Sequence, residues 1–358
     1  MLTGVKGVEL SRRLYFDAVR PLLDRPHTAA LIGPGSEVLG FDTDRSTDHD
    51  WGPRLQLFLT ADDLATHGTA IHEMLADRLP HRIAGYPISL VAVGEHGTRH
   101  MRESTGRVEH AVAVAELGAW LNGLIGVNPL EGMTTRDWLG TPAQRLAEVT
   151  GGAVFHDDLG ELSRVRRTLA WYPDDVWRHV LACQWQRIGQ EDAFVGRCGE
   201  TGDELGSTVV AARVVRDLMR LCLLLHRRYP PYSKWLGTAF ARLPGIGALH
   251  ATLSAVLSAG HWQDRQNHLV YAYETVAELH NRGGLTVPLD PRTRPFHNRP
   301  FQVLEVGRFV AALRAGITDP AVRALPLTGA VDQFADSTDV LSHGTRPHLL
   351  TAALYEGP

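Results

Sequence analysis

Apolar residues recur at helical spacing over residues 8–23, where Val8, Leu10, Leu14, Ala18 and Leu22 form one stripe. Residues 28–32 form a short apolar run closed by Gly33-Pro34-Gly35, which reads as a buried strand entering a tight turn. Leu55, Leu57 and Leu59 then alternate with other residues, predicting a second strand over about 48–59, with Pro53 requiring a sheet edge or a break. Thr60 followed by Asp63 resembles a capping box, opening a helix that carries Leu64, Ile71, Leu75 and Leu79. Two more strands are expected near 83–93 and 108–114.

Beyond residue 116 the period changes from strand to helix. Helices are expected over about 116–125, 141–150, 173–195, 203–228, 233–243, 247–259, 264–283 and 299–316. Pro142 suits the first position of its helix, and Pro230-Pro231 close the strongest one. Residues 284–300, rich in Pro, Gly and Arg, read as a loop. The expected fold class is therefore α+β followed by all-α. A small mixed-sheet head occupies residues 1–115, and a helical body occupies 116–358.

Composition adds exclusions. At 44% hydrophobic and 21% charged, the 358 residues suit an ordinary globular protein, and charges or Gly/Pro interrupt every apolar run before it reaches membrane-span length. The opening residues lack a secretory signal, and three widely spaced cysteines (Cys183, Cys198, Cys222) suggest neither a disulfide framework nor a zinc site. Cys183 and Cys222 are expected as buried thiols, and the protein as cytoplasmic. A net charge of −4 disfavours a general nucleic-acid binder. Of 36 basic residues only Lys6 and Lys234 are lysine, which makes a lysine deep in the chain conspicuous.

The chemistry concentrates in Gly35-Ser36 and Asp48-His49-Asp50. If the second of these opens a strand, Asp48 and Asp50 face one way and His49 the other, so two carboxylates converge. Paired carboxylates suit Mg²⁺, which commonly bridges protein carboxylates and substrate phosphates. Gly35 would allow close backbone approach to phosphate, and Ser36 would supply a donor.

The string GSEVLGFDTDRSTDHDWG resembles the Gly-Ser … Asp-x-Asp motif of the polymerase-β-type nucleotidyltransferase superfamily, with Gly35, Ser36, Asp48 and Asp50 matching position by position. Further strings, WLGTPAQRLAEVTGGAVFHD, AFVGRCGETGDELGS, YSKWLGTAF and RPFHNRPF, resemble a family of bacterial two-domain proteins that join such a head to a helical body. The resemblance implies two Mg²⁺ ions on Asp48 and Asp50. It implies ATP or another NTP as co-substrate, transfer of NMP (AMP from ATP) to a small-molecule hydroxyl, and release of pyrophosphate. A third carboxylate, often the general base, is usual on a later strand. Glu109 is the expected residue, completing the metal site with Asp48 and Asp50 or acting as base, with Glu95 as fallback, although neither is flanked on both sides by apolar residues as the superfamily pattern requires. The resemblance also implies a triphosphate-holding lysine in the helical domain, matched by Lys234, with Tyr232 and Ser233 beside it.

Two other readings stand beside this one: transfer to a tRNA or protein acceptor, and a non-catalytic nucleotide-binding protein. Arg213, Arg216 and Arg220 form a helical row that lines a cleft or makes a solvated face. Arg220 with His226 is reminiscent of helical ribonuclease toxins. Asp42 and Asp44 are expected to be solvated or capping. Trp171, Tyr172, Trp177 and Trp185 are expected in a helical core. His96 and His100 are not read as a metal pair, nor His297 as a substrate contact.

Overall fold

A computed structural model describes residues 6–48, 50–93 and 98–355, apart from the Asp48 side chain. In chain order its elements begin with α1 (Gly7–Arg13), β1 (Thr28–Leu31), β2 (Arg54–Leu59), α2 (Ala61–Arg78), β3 (Arg82–Ile83), β4 (Tyr86–Pro87), β5 (Ser89–Val93), β6 (Thr98–Arg102), β7 (Ala111–Glu116) and α3 (Leu117–Ile125). They continue with α4 (Thr135–Gly140), α5 (Ala143–Thr150), β8 (Ala153–Asp157), α6 (Glu161–Thr168), α7 (Asp174–Glu191), α8 (Phe194–Glu200) and α9 (Glu204–Leu225). Then come α10 (Ser233–Ala241), α11 (Gly247–Ser258), α12 (Trp262–Arg282), β9 (Arg294–Pro295), β10 (Gln302–Val303), α13 (Gly307–Ala315) and four short helices, the last being Arg346–Tyr355. The architecture is a small mixed sheet with helices followed by a predominantly helical region, as expected.

The chain divides into two compact units. The first takes in the residues up to Met133, with Arg145–Ala170 and Ser342–Thr345; the second takes in Thr134–Gln144, Trp171–Leu341 and Arg346–Pro358. This division differs from a boundary at 115/116, because the sheet of the first unit recruits β8, far downstream. The order is β7-β2-β1-β8, with β2 parallel to β7 and β1 antiparallel to both β2 and β8.

The alternation read in β2 is present. Leu55, Leu57 and Leu59 enter a core with Leu10, Leu14, Tyr15, Leu31 and Leu75. The opposite face is covered as well, since Phe58 packs edge-on against Trp120 of α3. Thr60 caps α2 by accepting from the Asp63 amide. The stripe over residues 8–23 is helical but irregular: α1 passes into a π-helical turn, Leu14–Val19, and then a 3₁₀ turn, Arg20–Leu22. The strand expected over 48–59 is shorter. Asp44–Asp48 is a 3₁₀ turn, Asp50 has φ 49°, and pairing starts only at Arg54, immediately after Pro53, whose nitrogen has no proton to donate.

In the second unit α7 packs against α9 and α13. Trp177 and Trp185 are buried here, Trp185 stacked on Phe309 with centroids 4.7 Å apart, and Cys183 and Cys222 are buried thiols, as expected. The helix expected over 299–316 is α13, preceded by β10. The short helices α6 and α8 and the strand β8 lie where the periodicity predicts no separate element.

His179 and His280 are enclosed in this unit, and burial pushes both imidazoles down to about 4. Both are neutral when folded but take up protons on unfolding below the ordinary histidine value of 6.5, so their contribution is complete above that pH and is lost as pH falls towards 4. We expect about 3 kcal/mol of stability per histidine to disappear over this window. Denaturant titrations at successive pH values measure it, and His280→Gln should flatten the profile.

Candidate functional site

Strand directions decide which sequence-predicted residues share one end of the first unit. β2 and β7 run parallel with Arg54 opposite Ala111, so the segments leading into them, carrying Asp48, Asp50 and Glu109, reach the sheet at the same end. β1 runs the other way, so its exit, Gly33 to Ser36, lies there too. The sheet thus gathers at one end the turn, the Asp-containing loop and Glu109.

A buried ion pair ties the turn to β2. Glu37 is 3% exposed, and the Arg54 guanidinium donates to its Oε1 from Nε at 2.8 Å, with Nη2 at 2.6 Å from the same oxygen. Nη2 also donates to the Pro34 carbonyl at 2.6 Å. Gly35, at φ 151°, sits against these groups, and a Cβ there would meet the Arg54 guanidinium and the Glu37 carboxylate. Ser36 is half-buried, and its carbonyl accepts from the Phe41 amide at 2.8 Å, which closes the turn. Distant sequence completes the cradle: the Gly33 amide donates to the Glu148 carbonyl at 2.9 Å, and the Gly152 amide to the Val38 carbonyl at 2.7 Å. Gly152 has φ 61°, and a side chain there would strike the Leu31 carbonyl. The Gly151-Gly152 pair of the AEVTGGAVFHD string is therefore a packing requirement of the head.

Asp48 and Asp50 do not share a strand face as expected, because neither lies in a strand. Asp48 ends a 3₁₀ turn, its carboxylate falls outside the described atoms, and so do His49 and the fallback Glu95. Asp50 is exposed, and its positive φ breaks extended alternation. It is anchored instead to the β5–β6 hairpin: its amide donates to the Arg99 carbonyl at 2.7 Å, and its Oδ1 accepts from the Arg99 amide at 3.1 Å. Glu109 is exposed and lies two residues before β7, where its carbonyl accepts from the Leu90 amide at 2.9 Å and its amide donates to Ser89 Oγ at 3.3 Å. Asp50 is thus held by β6 and Glu109 by β5, and this hairpin, whose first strand lies within the strand expected near 83–93 and whose second was not expected, governs the spacing of the two carboxylates. Asp42 caps α1, accepting from the Gly7 amide at 3.0 Å, in keeping with a capping role.

The second unit carries the other predicted residues. Lys234 is exposed in the first turn of α10, with Nζ 4.9 Å from the Trp235 ring centroid, and Ser233 opens that helix. Tyr232, its N-cap, donates its amide to Gln144 Oε1 at 3.0 Å. The arginine row is paired: Arg213 with Glu191 at 2.6 Å, Arg216 with Asp336 at 3.4 Å and Arg220 with Asp332 at 2.7 Å. His226 Nδ1 lies 2.8 Å from the Cys222 carbonyl at the end of α9. Arg220 and His226 thus each have a structural partner within the unit.

A family model described as a domain of unknown function (DUF4037) matches residues 138–236. No curated protein matches the chain. Among solved structures the chain is similar to a nucleotidyltransferase-like protein from Exiguobacterium sibiricum, at 12% identity over 88% of this chain and 91% of that one, with a TM-score of 0.31. A likeness at that score lends nothing to the residue assignments.

Removing one partner of a buried pair strands the other charge, at a cost of about 3–5 kcal/mol. Glu37→Ala is therefore expected to destabilise the protein by about 3 kcal/mol, read as a lowered midpoint in urea unfolding. Arg54→Lys should recover only part of it, because an ammonium cannot reproduce the guanidinium's fork.

Proposed function

We propose that this protein is a Mg²⁺-dependent nucleotidyltransferase of the polymerase-β type, moving NMP, most simply AMP from ATP, to a hydroxyl of a small molecule with release of pyrophosphate. The observation that carries the reading is the meeting, at one end of a four-stranded mixed sheet, of a Gly-Ser turn, an Asp-x-Asp loop and a strand-entry glutamate. The donors fit a hard cation: Asp50 offers an exposed carboxylate oriented by a backbone amide, and Asp48 lies two residues before it.

Asp48 and Asp50 would hold the metal ions. Mg²⁺ bound there would neutralise phosphate charge and lower the pKa of the acceptor hydroxyl. The Gly35-Ser36 turn, stiffened by the Glu37–Arg54 pair, would present backbone amides and the Ser36 hydroxyl to phosphate oxygens. Glu109 would take the acceptor proton as general base, its attachment to a different strand of the hairpin favouring this role over a shared ligand. Lys234, with Tyr232 and Ser233 beside it, would supply a point charge for the triphosphate. Such a site works by alignment and charge neutralisation.

The test is pyrophosphate release from ATP with Mg²⁺ across a panel of hydroxyl acceptors. Asp50→Asn and Asp48→Asn should each lower turnover by at least about 100-fold, since a metal clamp is worth several kcal/mol of transition-state stabilisation. Equal turnover by wild type and both variants would refute the reading. Lys234→Ala should raise KM for the nucleotide by about tenfold with a smaller change in kcat, the pattern of lost uniform binding. A second reading, nucleotide binding without transfer, draws support from the Asp50 oxygen already engaged by Arg99. It predicts calorimetric binding of ATP with no pyrophosphate from any acceptor, tRNA and protein included.

A further inference from the structure

The opposite end of the first unit's sheet carries a separate cluster. His27 leads into β1, and His156 and Asp158 lie at the finish of its antiparallel neighbour β8, where Ala29 pairs with His156. β1 separates this cluster from the Gly35-Ser36 turn, which follows the strand's other end. His27, His156 and Asp158 each offer one ligand atom, and all three atoms lie within 4.8 Å of one another. We propose that these three residues form a site for a divalent transition metal of the zinc class, distinct from the proposed Mg²⁺ site.

The orientation of His27 supports this assignment. Its Nδ1 lies 2.8 Å from the Arg25 carbonyl, which can only accept, so Nδ1 carries the proton and Nε2 presents its lone pair to the cluster. A carbonyl holding the distal nitrogen in this way is the usual outer partner of a metal-bound histidine. Without a metal the His27 Nε2 lone pair accepts from the Tyr15 hydroxyl at 3.0 Å, so Tyr15 must turn its proton aside when a metal binds. Tyr15 projects from the π-helical turn, an irregularity that often marks functional positions.

The Asp158 backbone is also anchored. The Asp158 amide donates to the His27 carbonyl at 3.1 Å. Next to it, Asp157 accepts from Thr28 Oγ1 at 2.6 Å, the Gly160 amide at 3.0 Å and the Ser163 amide at 2.9 Å. The two imidazole rings are 4.8 Å apart, centre to centre. His156 Nε2 lies 2.7 Å from Asp158 Oδ2, so in the metal-free protein a proton bridges them.

Two imidazoles and one carboxylate favour zinc, copper, nickel or iron over magnesium. Ligands at zinc distances around a tetrahedral centre lie roughly 3.3–3.5 Å apart. The cluster must therefore tighten by about an ångström, and the side chains able to move are exposed Asp158 and half-buried His156. Exposure on that side leaves a coordination position for water. The Arg20 charge acts on both Tyr15 and His27 and opposes a second cation, so affinity rests heavily on the Asp158 carboxylate. On binding, the metal takes the place of the Nε2 proton between His156 and Asp158, which moves to Nδ1 of the same ring or to solvent.

The experiment uses tag-free, metal-stripped full-length protein titrated with Zn²⁺ by calorimetry in buffers of different ionisation enthalpy, with Co²⁺ as a visible-absorption probe. One equivalent of Zn²⁺ should bind. Co²⁺ should give a tetrahedral-type spectrum that Zn²⁺ abolishes and excess Mg²⁺ does not. Asp158→Asn and His156→Gln, both at accessible positions, should each weaken Zn²⁺ binding by at least about tenfold, since losing even an outer-shell partner costs about 10–100-fold. Asp50→Asn should leave it unchanged. Absence of stoichiometric Zn²⁺ binding, or undiminished binding by both cluster variants, would overturn the proposal without touching the nucleotidyl-transfer reading.

Discussion

The buried pair between Glu37 and Arg54 is the interaction on which the candidate site depends. A Gly-Pro-Gly-Ser turn has little intrinsic order, and Asp50 just before β2 takes a positive φ. The guanidinium spans the two segments, bonded to the Glu37 carboxylate and the Pro34 carbonyl from the first residue of β2. Because the pair is shielded from water, neither charge can separate without leaving the other unsolvated. The turn and the strand entry therefore move as one piece, and the absence of a Cβ at Gly35 is what lets the guanidinium lie there.

That constraint propagates into sequence far from the motif. α5 and β8 are part of the head because Gly33 and Val38 need partners at Glu148 and Gly152, and because β1 would otherwise expose its second edge. Arg166 of α6 then donates to the carbonyls of Thr150 and Val149, capping α5 from behind. β1 serves two places as a result. Its exit supplies the Gly-Ser turn, and its entry aligns His27 with His156 and Asp158. One four-residue strand thus spaces two clusters of quite different donor chemistry, oxygen at one end and mixed nitrogen and oxygen at the other.

The helical unit spends its charge differently. Its arginine row on α9 is matched by carboxylates from other elements, and Arg265, 1% exposed, is held by Glu204, Ser207, Thr208 and the Ala259 carbonyl. These residues pack and orient helices. Lys234 stands apart from them, exposed at a helix start, in a chain whose other basic residues, Lys6 excepted, are arginine.

The long helices, the capped start of α2 and the alternation of β2 could be read from the chain, because each rests on contacts a few residues apart, where periodicity and capping chemistry act. The Gly-Ser and Asp-x-Asp motifs were legible as residue types. Their geometry was not, since a positive φ at Asp50 and the bonds from Arg99 arise only when the β5–β6 hairpin folds against the loop. β8 escaped for a related reason: Ala153–Asp157 is too short to declare itself, and it becomes a strand only by pairing with β1, more than a hundred residues earlier. The His27, His156 and Asp158 cluster is invisible in sequence on the same ground. By itself the sequence determined the local elements and the inventory of chemical groups; the tertiary structure alone decided which groups meet, because pairing between distant strands depends on hydrogen bonds and burial that no local pattern encodes.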